Sequence, residues 1–179
     1  GQGVVIPDKG GKRHQKIPID LQLESPDLLA LKGVSQLQQF KVACELRSFI
    51  EHWHFSDFQL SEVRVNEKAI GYDEHLSSPG DNLALFAWTL QETQPVVYEK
   101  IVQEMARRVP GLSNIEAVLE GERVYLQFQY RAFPEPFLSW QVSAGTLTLF
   151  AYLLLLYDPH SHSLLCVEEP EKQIYPDLL

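Results

Sequence analysis

Cysteine is scarce in this 179-residue chain: the only two, Cys44 and Cys166, stand 122 positions apart inside apolar patterns. That spacing makes neither a disulfide framework nor a CxxC metal pair, and both read as buried thiols. Long apolar runs are also lacking. The longest, Leu147 to Tyr157, has 11 residues and is interrupted by Thr148, whereas a membrane span takes about 20. The first sixteen residues contain no apolar h-region of a secretory signal, so the chain reads as cytoplasmic, and Gly1 suits a cloning remnant as well as a native start. Positive charge is in deficit, with 15 basic against 24 acidic residues and a net charge of −9. Lys9, Lys12, Arg13 and Lys16 face only Asp8 in the opening stretch, which leaves −12 on the rest. A body this acidic repels a polyanion at long range. What is present is ordinary: 45% apolar, 11% aromatic and 22% charged residues, enough for one globular core and too little chain for two.

The Gly- and Lys-rich opening over 1–16 reads as a flexible arm, followed by a single domain over 17–179. Ile17 to Leu23 alternates apolar and polar residues as a half-wet strand does. From Ser35 to Trp53, Leu37, Phe40, Val42, Ala43, Leu46, Phe49, Ile50 and Trp53 recur at helical spacing behind a serine cap. Phe58 to Val65 resembles a strand. The turn ending in Gly80 supplies Asp81 or Asn82 as cap for a helix through Leu90. A second helix follows Pro95, with Val97, Ile101, Met105 and Val109 inward, and Pro110 with Gly111 stops it. Ile115 to Leu119 and Val124 to Tyr130 flank Glu120, Gly121 and Glu122 as a hairpin. An all-round apolar helix from Leu147 to about Tyr157 leads, after a polar loop, into Leu164 to Val167 and the acids Glu168 and Glu169. A continuous apolar run ending in acids reads as a central strand of a parallel sheet, so the fold class is mixed α/β.

In open α/β sheets ligands lie beyond the carboxyl ends of the strands, which is where Glu168 and Glu169 fall. Two carboxylates with separate tasks suit metal-assisted phosphoryl transfer, one for Mg²⁺ or its water shell and one for the attacking water. Ser143, Ala144, Gly145 and Thr146 open the buried helix. Gly145 allows close approach of a phosphate, and first-turn N–H groups favour an anion. Each feature alone also fits a bland account, a strand reaching the surface and a serine-capped helix.

Together they resemble a known family. Val142 to Leu147 (VSAGTL), then an apolar helix, then Leu164 to Glu171 (LLCVEEPE), then Ile174, Tyr175 and Pro176, are similar to the signature motif, Walker B strand and D-loop of RecF-like ABC-type ATPases. That branch is related to SMC and overcoming-lysogenization-defect proteins and is grouped with AAA-type domains. Its pattern is S-[DA]-G-T-L, about twenty residues, then an apolar strand and [DE]-E-P-E-x-x-[LI]-H-P. The segments Gly80 to Ala84 and Pro110 to Leu112 resemble the stretch before the signature. The resemblance implies that Ser143, Ala144, Gly145 and Thr146 contact the γ-phosphate of ATP bound mainly by a second copy of the chain, in a homodimer. It implies Glu168 at the Mg²⁺ position and Glu169 as catalytic base, with Pro170 and Glu171 beginning the loop that crosses the interface. Glu168 is one methylene longer than the aspartate of many members, and Tyr175 replaces the usual histidine.

A phosphate-cradling loop, G-x-x-x-x-G-K-[ST], is missing from these residues. Around Gly10, Gly11 and Lys12, Ile6 occupies the first glycine position and Arg13 the hydroxyl position. The chain therefore reads as the interior and carboxy-proximal part of an ATP-hydrolysing protein, inactive by itself. The alternative is a non-catalytic interaction domain on the same scaffold. A role in DNA repair or phage defence, with nucleic acid as partner, follows from family analogy alone. His52 and His54 with Asp57, and Asp158 with His160 and His162, read as ordinary polar residues, because side chains two apart diverge near a helix end and the second group sits in a polar loop. Trp53, Trp88 and Trp140 read as core or interface anchors.

Overall fold

The computed structural model describes residues 3–5 and 19–21, by their backbone alone, and residues 41–59, 73–160 and 162–170. Two compact units result, one of residues 1–53 with 162–164 and one of residues 54–161 with 165–179. In the first, β1 (Gly3–Val5) pairs antiparallel with β2 (Ile19–Leu21), so a strand falls within the expected Ile17–Leu23. The remainder of the expected arm lies outside the described residues. Helix α1 (Lys41–Glu51) realises the described part of the first expected helix, whose serine cap also lies outside them. Val42, Leu46, Phe49 and Ile50 are exposed. Trp53 opens β3 (Trp53–Ser56) instead of closing that helix, with its ring edge-on to Phe49 at 5.9 Å.

The second unit holds the core. Helices α2 (Leu83–Thr93) and α3 (Pro95–Arg108) are separated by Gln94, and Pro95 starts α3 where its missing N–H costs nothing. Tyr98, Ile101, Val102 and Met105 form the buried stripe of α3, at the i, i+3, i+4, i+7 spacing that a helix presents to one side. Arg107 and Arg108 sit in its last turn, where the dipole favours cations, and both bond Glu104.

The hairpin is β4 (Leu112–Glu120) and β5 (Arg123–Tyr130), extended by β6 (Phe137–Leu138) in the order β4-β5-β6. Gly121 has φ +63° while Glu122 does not share it, the pattern of a two-residue II′ turn. In β5 the buried residues alternate strictly: Val124, Leu126, Phe128. In β4 they shift parity from Leu112 to Ile115 and Ala117, because a bulge at Ser113 inserts one residue opposite β5. Without that bulge either Leu112 or the later pair would face solvent.

Helix α4 (Ala144–Leu156) is buried on nearly every side, as its composition requires, and Phe150 meets Phe128 and Tyr98 edge-on at 5.9 and 6.5 Å. Strand β7 (Leu164–Val167) runs parallel to β3, and Glu168 N–H donates to the Ser56 carbonyl at 2.9 Å. Among the described residues β3 is its one sheet neighbour, and the side chains of Leu165 to Val167 are half-buried. Of the expected strand over Phe58–Val65, Phe58 and Gln59 follow β3 outside any strand, and 60–65 lie outside the described residues. Both cysteines are half-buried, a correction to the expectation of buried thiols; Cys44 rides on a helix with no buried residue and Cys166 on a half-covered strand. Of the tryptophans, Trp88 packs against the core, whereas Trp53 and Trp140 are exposed. No described helix is long and apolar enough to cross a membrane.

Candidate functional site

Glu168 and Glu169 fall directly after β7, at the carboxyl end of a parallel pair, and both are exposed. The ladder bond from Glu168 N–H ties the first acid to β3, and Glu169 then adopts φ +44°. A non-glycine residue in that region carries a cost of about 1 kcal/mol or more, so the backbone reverses sharply between the two carboxylates. Opposite them, Asp57 N–H donates to the Ser78 carbonyl and Gln59 N–H to the Pro79 carbonyl, each at 3.0 Å, which holds the chain beyond β3 extended. The result is a cleft of about 250 Å³ lined by Asp57, Gln59, Glu168, Glu169, Thr148 and Tyr152, with Phe58 beside Tyr152 at 5.3 Å between ring centroids. Thr148 and Tyr152 are one turn apart on α4, so the helix that begins at Ser143 forms one wall of the cleft that holds the acids.

The beginning of α4 faces elsewhere. Ser143 is the N-cap: its Oγ accepts from Thr146 N–H at 3.1 Å and lies 2.8 Å from Thr146 Oγ1. That settles one first-turn donor internally and leaves the N–H groups of Ala144 and Gly145 without an intrahelical acceptor. Ser143 is exposed, Ala144 and Gly145 half-exposed and Thr146 buried. Ser143 lines a separate cleft of about 190 Å³ with Tyr130, Phe133, Phe137, Gln141 and Val142. In its aromatic wall Phe137 packs edge-on against Tyr130 and Phe133 at 5.5 and 5.1 Å.

Chemically the two clefts are opposites. The first presents three carboxylates and a carboxamide with no lysine or arginine in its lining. Hard oxygen donors of this kind fit Mg²⁺ and repel a bare polyphosphate. The second is apolar and neutral with a helix N-terminus at its edge, suited to part of an anion. Sequence reasoning singled out Glu168, Glu169 and the Ser143–Thr146 turn but missed Asp57, Gln59 and Tyr152 as neighbours of the acids.

In comparisons with known proteins, residues 48–179 match the family described as "AAA domain, putative AbiEii toxin, Type IV TA system". The comparisons with curated proteins and with solved structures give no match. The family match spans most of the chain and includes both clefts, and an AAA domain is a nucleotide-binding ATPase domain. The parallel β3–β7 pair, the antiparallel three-stranded sheet and the packed helices agree with a partial P-loop NTPase fold. The chain therefore belongs to this family of AAA-type ATPase domains.

Proposed function

We propose that these residues supply half of a composite ATP site of RecF-like, ABC-type architecture, in which two copies of the protein close on nucleotide. The observation that supports this most is the separation of the two clefts. Within one chain the Ser143–Thr146 turn and the Glu168–Glu169 pair line different cavities, although both belong to α4 and the strand that follows it. A nucleotide touching both kinds of group is therefore best met by the acids of one copy and the turn of the other.

In this reading Glu168, with Asp57 and Gln59 near it, holds Mg²⁺, which when bound neutralises charge on the phosphate oxygens. Glu169 orients the attacking water and takes its proton as the phosphorus–oxygen bond forms in line with the leaving ADP. The free N–H groups of Ala144 and Gly145, with the Ser143 hydroxyl, stabilise negative charge on the transferred phosphoryl group. No G-x-x-x-x-G-K-[ST] loop occurs in the 179 residues, so this stretch tested by itself turns over ATP negligibly.

The deciding experiment expresses the full open reading frame containing these residues and compares it with Glu169→Gln. The expected result is retained ATP binding, turnover reduced by two orders of magnitude or more, and accumulation of a nucleotide-bound dimer on size exclusion. Unchanged turnover overturns the base assignment. A variant that loses turnover yet stays monomeric with ATP overturns the composite site.

A further inference from the structure

The side chain that opens α2 is not used on α2. Asn82 occupies the N-cap position, where an asparagine ordinarily accepts from a first-turn N–H, yet its side chain makes no cap hydrogen bond. It reaches back into the preceding loop instead. Its Oδ1 accepts from Ser77 N–H at 2.8 Å, and its Nδ2 donates to Asp73 Oδ2 at 2.8 Å and to the His75 carbonyl at 2.9 Å. The two bonds to backbone straddle Leu76, whose side chain is 1% exposed in the core. These residues and the cleft of Asp57, Gln59, Glu168 and Glu169 all belong to the second unit. We propose that Asn82 is a positioning residue for that cleft: it fixes the turn over 77–80, whose carbonyls hold Asp57 and Gln59 in place.

The path from Asn82 to the cleft is short. Gly80 N–H donates to the Ser77 carbonyl at 3.1 Å and closes the turn, with Gly80 at φ +79°, and Ser77 Oγ donates to Asp81. Within the turn, the Ser78 carbonyl accepts from Asp57 N–H and the Pro79 carbonyl from Gln59 N–H, each at 3.0 Å. The same segment meets the acid pair through the Ser56 carbonyl, which accepts from Glu168 N–H at 2.9 Å. Residues 56–59 are therefore tied both to the 77–80 turn and to the start of the acid pair. The proposal rests on the reading of this cleft as the Mg²⁺ site. Mg²⁺ demands near-octahedral oxygen geometry and adapts poorly to displaced ligands, so a bond network that fixes Asp57 and Gln59 bears on affinity although none of its members touches the ion.

Asn82→Asp separates positioning from capping. Aspartate caps a helix as well as asparagine does, and its charge suits the N-terminal end of the dipole. It has no N–H to give Asp73 or the His75 carbonyl, and it sets a second carboxylate against Asp73. The helix keeps its cap while the loop loses its clamp.

The test titrates the nucleotide-free 179-residue chain with Mn²⁺ as the probe for Mg²⁺, read by electron paramagnetic resonance. Asn82→Asp should weaken Mn²⁺ binding about tenfold with a melting temperature no lower than wild type. In the full open reading frame it should raise the Mg²⁺ concentration that half-saturates turnover by a like factor and lower the rate at saturating Mg²⁺ by less. Glu168→Gln is the reference for the cleft itself. Mn²⁺ affinity weakened by Glu168→Gln but unmoved by Asn82→Asp overturns the positioning role and leaves the cleft reading standing. Absence of Mn²⁺ binding by wild type, or affinity unmoved by both variants, overturns the cleft reading and this proposal with it. Should Asn82→Asp fail to fold by circular dichroism, Asn82→Ser, which keeps a cap and is too short to clamp the loop, decides by the same criteria. Weakened binding found only together with a lowered melting temperature also overturns the positioning role, because a cap alone accounts for it.

Discussion

Tyr98 puts the energetics of the core to a direct test. Its ring is 5% exposed and packs edge-on to Phe150, yet its hydroxyl has no hydrogen-bond partner among the described residues. A buried donor left unpaired costs about 1–3 kcal/mol. Tyr98→Phe keeps the ring and removes only that oxygen, so the variant should be more stable than wild type at pH 7 by about 1 kcal/mol or more. The pH dependence gives an independent check. Burial, with the Glu116 charge adding to it, pushes the Tyr98 phenol above its ordinary value. A group whose folded value is raised contributes stability that is complete below the unfolded value, about 10 for tyrosine, and lost as pH climbs past it. At pH 11 the unfolded phenol is mostly ionised and the folded one is not, which removes about 1.4 kcal/mol from wild type and nothing from the variant. Urea unfolding followed by circular dichroism at pH 7, 9 and 11 measures the difference, in which the six other tyrosines cancel. A variant less stable than wild type at pH 7, or a gap that does not widen by pH 11, would refute the claim that the hydroxyl is dry and unpaired.

Ser143→Ala removes the cap of α4 and should cost about 1 kcal/mol in thermal or urea unfolding. On the proposed reading it also weakens the ATP-dependent dimer of the full protein, so a loss of stability with unaltered dimerisation would leave Ser143 a cap and nothing more. Glu104 accepts from Arg108 and Arg107, and those guanidinium groups, the Arg108 hydrogen bond foremost, hold its carboxyl below the ordinary carboxylate range. The sign follows: the stabilisation is present above that range and disappears as pH falls through the depressed value. Glu104→Gln should therefore lower the melting temperature at pH 7 and converge with wild type toward pH 2, read by differential scanning calorimetry.

Much of the fold was legible because local rules and burial agree. The stripe of α3, the apolar envelope of α4 and the alternation of β5 each follow from period and composition, and Gly121 gives the hairpin its turn. The misses have physical causes. Trp53 continues the helical spacing of Phe49 and Ile50, but the chain leaves the helix at His52, whose Nδ1 bonds the Ser48 carbonyl at 2.6 Å, and enters β3. The parity shift in β4 depends on a bulge that no alternation pattern announces. For the site, the acids and the serine turn were readable as motifs, whereas Asp57, Gln59 and the pairing of His75 with Asp158 are long-range juxtapositions.

The charge distribution constrains the order of events at the cleft after β7. Asp57, Glu168 and Glu169 converge there with no basic side chain in the lining, inside a body that carries −12 beyond its first sixteen residues. Two unit charges 4 Å apart near a protein surface interact by about 4 kcal/mol, so three carboxylates set against a triphosphate oppose binding unless cations intervene. A divalent ion offsets part of that repulsion, and a phosphate-loop lysine together with a second copy's helix N-terminus would offset more. On the proposed reading, nucleotide is therefore held only when those positive elements arrive together. In that proposal, the repulsion that opposes ATP at the acids of a lone chain would make closure of two copies conditional on Mg²⁺ and nucleotide both being present.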